Sequence, residues 1–146
     1  MSRKADLLRR AAENMRIAKL GKQNYSGDEI ELDTIGYNLQ QCIEKILKFQ
    51  LQQRNIKYAS KYPMKYLYDR FISNNLSYPD ELKPYWSELD DFESKSRYGA
   101  DIVATRTVID ELFPIAEKLL KEQQELQVKN QEHCNEINNF QKLDYF

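Results

Sequence analysis

Along Tyr37–Gln53, YNLQQCIEKILKFQLQQ, the apolar residues Leu39, Cys42, Ile43, Ile46, Leu47 and Phe49 recur with helical periodicity. At about 100° per residue these side chains fall within one arc of roughly 160°, which predicts an amphipathic helix docked on a core. Gln41, Lys45, Lys48 and Gln52 form a second stripe on the other side, and Glu44 precedes Lys48 at the spacing of a weak surface pair. Upstream, Asp28 and Glu31 have capping-box spacing, so the helix should begin there and run to about Asn55.

The same periodicity extends along the chain. Leu8, Ala11, Ala12, Met15 and Ala18 predict a first helix over about Lys4–Leu20, with Gly21 as its stop. KQNYSGDE then reads as a loop. A third helix should open with Pro63 at its first position and turn Met64, Leu67, Tyr68, Phe71 and Ile72 inward, until Asn74 and Asn75 end it. A fourth should open near Pro79 and pack Leu82, Tyr85, Trp86, Leu89 and Phe92, with Asp80 and Glu81 at the positive end of its dipole. SRYGADIVATR interrupts the period. The last helix then begins after Thr105, with Val108, Ile109, Leu112, Ala116, Leu119 and Leu120 inward and Pro114 bending it. Beyond Gln127 the pattern thins, and Ile137 and Phe140 either extend the helix or fold back over the bundle. The expected fold class is all-α: a five-helix antiparallel, up-and-down bundle over residues 1–127, followed by a C-terminal extension, 128–146, as a helical continuation or tail.

Composition narrows the chemistry. Only four glycines and four prolines occur in 146 residues, as an all-helical chain requires. No apolar run reaches even ten residues, so neither a signal peptide nor a membrane span is expected, and the protein should be soluble and cytoplasmic. Cys42 lies on the apolar helix face and Cys134 is remote from it, which suits two structural thiols. The sole histidine, His133, has Asn130 three residues before it, so the Glu-x-x-His pairs of a di-metal bundle are missing. Cys134 beside His133 gives too few ligands for zinc. No glycine-rich phosphate loop and no nucleophile–histidine set is present, so no metal or cofactor is expected.

The net charge of −1 conceals segregation, since Lys45–Arg70 carries seven basic residues whereas Asp80–Glu93 carries six acids against Lys83. KYASKYPMKYLYDRF, Lys57–Phe71, interleaves basic residues with tyrosines, and Arg3, Lys4, Arg9 and Arg10 form a basic arm. Phosphate attraction with aromatic stacking is how single-stranded nucleic acid is held without sequence readout. The competing reading packs the tyrosine rings on the bundle with their hydroxyls in water.

YNLQQCIEKILKFQL resembles the second helix of HEPN domains (higher eukaryotes and prokaryotes nucleotide-binding), which reads as an aromatic, two polar residues and then QQAxEKxLKA. The preceding AENMRIAKL fits the family's first helix, and Arg97, Tyr98, Gly99, Ala100 and Asp101 are similar to the RYPD of small prokaryotic members. The resemblance covers about Lys4–Gln127. It implies a helical bundle that forms a homodimer, with a cleft around the loop and last helix of both subunits. Many relatives are metal-independent ribonucleases with an arginine, a polar residue and a histidine a few positions later. Others bind nucleotides, or pair with a minimal nucleotidyltransferase as toxin and antitoxin. Here Tyr98 follows the arginine, and Ile102, Val103 and Ala104 stand where the histidine would fall. YPMKYL replaces the His-Asp-Leu that often opens the third helix.

The leading expectation is a non-catalytic or degenerate HEPN dimer that binds nucleotide, RNA or a protein partner. Arg97, Tyr98, Asp101, Gln41, Lys45 and Lys48 are its ligand-binding candidates, and Arg97 is the one candidate for catalysis. An active ribonuclease toxin and a purely structural helical interaction module are the alternatives. Helices four and five also carry more apolar residues than one face needs, with Phe113 and Ile115 beside Leu112 and Ala116, as a dimer would.

Overall fold

The computed structural model describes residues 6–60, 63–98 and 104–143, with the backbone alone for 95–98 and 140–143. Five α-helices form: α1 (Leu7–Gln23), α2 (Glu29–Gln53), α3 (Met64–Ser73), α4 (Trp86–Tyr98) and α5 (Arg106–Leu143), with a 3-10 turn, Asp80–Tyr85, leading into α4. No strand occurs among the described residues.

Asp6 caps α1 by accepting from Arg9 N at 3.2 Å, one of the orphan N–H groups of a helix start. Gly21 does not stop this helix, which continues to Gln23. A Cβ at Gly21 would sit 2.8 Å from Ile35 Cγ1, so the glycine serves the close approach of α1 to α2. Asp28 caps α2 through Ile30 N at 3.0 Å. Glu31 accepts from both Ser26 N and Ser26 Oγ at 2.8 Å, bracing the turn before the cap rather than the cap residue itself.

Helices α2 and α3 end alike. Asn55 and Asn75 adopt positive φ, of 56° and 57°, and the amides of Ile56 and Leu76 return to Leu51 O and Phe71 O, both at 2.9 Å. Asparagine tolerates this left-handed stop, and the apolar residue after it folds back on the last turn. Pro63 precedes α3 as its cap residue and offers no side-chain acceptor, so Asp90 Oδ1 of α4 accepts from Met64 N at 2.9 Å. Ile72, expected inward, is 51 % exposed. The expected single fourth helix is divided, because Pro84 has no N–H for an α-helical bond and lies within the 3-10 turn.

Four long helices alternate in direction, with short α3 in the connection between α2 and α4. Asn14 of α1 bonds Asn38 of α2, while Lys22 and Lys19 of α1 meet Phe113 and Glu117 of α5. Tyr85 and Glu81 reach Glu111 and Lys118, so α4 and the turn before it run against α5. The core joins Leu39, Ile43, Ile46 and Leu47 of α2 to apolar residues of every other helix. Phe113, proposed above as surplus, is 4 % exposed in this chain's own core, and Ile115 packs partly buried against it. Helix α5 runs on through Pro114, and nearly every described side chain beyond Leu120 is exposed.

Candidate ligand-binding site

Tyr37, Gln41, Lys45, Lys48 and Gln52 lie three or four residues apart, so they share one face of α2, and all are half-buried. The neighbouring residues turn this stripe into two polar networks. Toward α1, Lys45 Nζ donates to Asn14 Oδ1 at 2.6 Å, Asn14 Nδ2 donates to Asn38 Oδ1 at 3.0 Å, and Asn38 Nδ2 donates to Thr34 O at 2.9 Å. Burial, and then the nearby Arg10 guanidinium, hold the Lys45 ammonium below the ordinary lysine range. Toward α3, Lys48 Nζ pairs with Glu44 Oε1 at 3.0 Å, donates to Ser60 O at 3.2 Å and lies 5.6 Å from the Tyr58 ring centre. Gln40 Nε2 reaches Glu44 Oε2 at 3.1 Å, and Gln41 Nε2 reaches Gln40 Oε1 at 2.7 Å.

Gln40 and Glu44 are therefore interior groups, 1 % and 6 % exposed, although the spacing suggested a surface pair for Glu44 and Lys48. A charge so placed needs a partner, and Lys48 supplies it. The structure thus brings Gln41, Lys45 and Lys48 together. The side chains of Arg97 and Tyr98, which close α4, and the whole of Asp101 lie outside the described residues, as do Arg3, Lys4 and the Phe140 side chain. The loop's far end is anchored where Ala104 N donates to Asp33 Oδ1 at 2.8 Å. Asp33 and Lys45 are twelve residues apart on α2, about 18 Å along its axis.

Of the tyrosines read as a stacking platform, Tyr62 lies outside the described residues, and Tyr66 and Tyr68 are engaged in packing. Tyr66 Oη accepts from Ala59 N at 2.9 Å, and Tyr68 stands 5.1 Å from both Tyr78 and Trp86, ring centre to ring centre. Arg70 fastens the segment by donating twice to Lys57 O, at 3.1 and 2.8 Å. Burial pushes the Cys42 thiol up to about 12, which leaves it unreactive at neutral pH. No group of three or more His, Cys, Asp and Glu able to hold a metal occurs among the described residues, and no described helix is long and apolar enough to cross a membrane. A groove of about 620 Å³ lies elsewhere, between Phe49, Arg54, Phe71 and Leu76 and the α5 residues Leu126 and Cys134, and contains none of the expected site residues.

Asn14, Asn38 and Gln40 are the site residues that the sequence pattern missed. Their signal was present: Asn14 lies between Ala11 and Ala18, and Asn38 between Ile35 and Cys42, as polar members of apolar lines. Comparison with protein families matches the HEPN domain to residues 5–126. No curated protein and no solved structure matches the chain.

Proposed function

This chain belongs to the HEPN domain family, and from that premise we propose that it is a non-catalytic HEPN homodimer that binds nucleotide or RNA. In this proposal Arg97, Tyr98 and Asp101 border the cleft, and a minimal nucleotidyltransferase is the partner protein of a toxin–antitoxin setting. The observation that carries the reading is the continuity of α5. It holds the sole histidine, His133, on an exposed stretch 27 residues past Arg106, roughly 40 Å along the axis. Arg97 keeps the guanidinium that suits a phosphate, while the proton-transferring partner used by nucleolytic relatives is absent from Tyr98–Arg106.

Equilibrium titration with labelled single-stranded RNA and with nucleotides, at stated salt, tests the binding, and light scattering tests the dimer. Arg97→Ala should weaken binding by about 1–3 kcal/mol, the scale of a lost charged hydrogen bond. A strictly monomeric mass at high concentration, or affinity indifferent to salt and to Arg97, would defeat the reading.

A further inference from the structure

The seam between α1 and α2 holds two cations, Arg10 and Lys45, that form no ion pair with a carboxylate among the described residues. Gly21 against Ile35 and Asn14 against Asn38 set an antiparallel register, which places Arg10, one turn before Asn14, across from Lys45. Every acid of the two helices near this point is already committed. Asp6 pairs with Arg9 at 3.9 Å, Glu13 with Arg16 at 2.6 Å, and Glu44 with Lys48 at 3.0 Å. Lys45 donates only to the neutral Asn14 amide, and among the described residues neither Lys45 nor Arg10 has a carboxylate partner.

Two like charges held together, one of them half-buried, oppose each other more strongly than they would in open water. The depressed Lys45 pKa, with Arg10 as its second cause, agrees with that placement. Asn14, itself held by Asn38, accepts one hydrogen bond from the ammonium without neutralising it. Two of its N–H groups remain for another acceptor, alongside the guanidinium fork of Arg10. An anion seated between them would reverse the repulsion and receive charge-assisted bonds from both sides.

We propose that Arg10 and Lys45, steadied by Asn14 and flanked by Gln41, form a binding site for a phosphoryl group carried by a nucleotide or by an RNA backbone. It rests on the nucleotide- or RNA-binding reading and adds a contact separate from the Arg97 loop. The full chain is titrated with ATP, with a fluorescein-labelled single-stranded RNA and with inorganic phosphate, each at low and at physiological salt. Arg10→Gln and Lys45→Met should each weaken binding of a phosphate-bearing probe roughly tenfold. Each should also lower the salt slope for RNA by about one. Inorganic phosphate should raise the Tm of the parent more than that of either variant. Binding of ATP alone assigns the site to a nucleotide, and a preference for RNA assigns it to the backbone.

Arg10→Gln changes an exposed side chain with no partner among the described residues, so it remains informative if Lys45→Met fails to fold. Unchanged affinity and salt slope in Arg10→Gln overturn the seam. If Arg97→Ala abolishes binding in that case, the cleft reading survives without it. A parent that binds none of the three probes overturns both.

Discussion

Glu44 and Lys48 are 8 % and 15 % exposed at their side chains, so their pairing is an interior matter and differs from the helix-surface pair that the spacing alone suggests. Lys48→Met leaves Glu44 with only the Gln40 amide and should cost about 3 kcal/mol, because the remaining buried charge loses its partner. Denaturant unfolding measures this, and Glu44→Leu combined with Lys48→Met should recover most of the loss. A single variant as stable as the parent would mean that water reaches Glu44. Asp90 gives a pH-dependent case. Burial raises its pKa first, the bond from Met64 N opposes that, and the charges of Asp91 and Glu44 add to the rise. With the native pKa above the unfolded one, the folded state binds the extra proton between those two values, so this group's contribution falls as pH rises through the window and is least favourable at neutrality. Asp90→Asn keeps the Oδ1 acceptor for Met64 N and removes the charge. It should be at least as stable as the parent at neutral pH, with an advantage that shrinks as pH falls through the native pKa of Asp90. An advantage that grows on acidification would refute the assignment.

Gly36 on α2 faces the Phe92 ring of α4, and a Cβ there would lie 3.2 Å from a ring carbon. Alanine gains about 1 kcal/mol of helix propensity over glycine, whereas crowding a filled core costs about 1–3 kcal/mol. Phe92 is 1 % exposed and has little room to yield, so crowding should win and Gly36→Ala should destabilise by about 1 kcal/mol. In thermal melts Phe92→Leu should convert that change to neutral or better. This contact also shows where sequence reading stops. The existence of the helices was legible because Leu39, Ile43 and Leu47, or Leu112, Ala116 and Leu119, repeat with the helical period, whatever they pack against. The role of Gly21 was not, since a glycine that ends a helix and one that lets two helices touch differ only through the neighbour, Ile35. Likewise Gln41, Lys45 and Lys48 were legible as a stripe, while their connection to Asn14 and the burial of Glu44 depend on the register of α1 and on the path of residues 57–60.

At the scale of the whole chain, Arg97, the arginine proposed to hold a phosphate, precedes α5, and the sole histidine, His133, lies 27 residues past Arg106 on that continuous helix. Hydrolysis through the 2′-hydroxyl needs a group to move its proton or that of the leaving oxygen, and histidine is suited to it at neutral pH. From Tyr98 to Arg106 the choices are a tyrosine, an aspartate, an arginine and small or apolar residues. Ordinary tyrosines titrate near pH 10 and aspartates near pH 4, so either starts far from the task. His133 is exposed on the part of α5 that runs beyond Leu120, and a continuous helix keeps it roughly 40 Å along the axis from Arg106 within one chain. Metal-free protein incubated with a labelled single-stranded RNA should therefore leave the RNA intact, as should Arg97→Ala and His133→Ala. Cleavage by the parent that disappears in Arg97→Ala would contradict this, and its loss in His133→Ala as well would mean that a second copy delivers its histidine across the dimer.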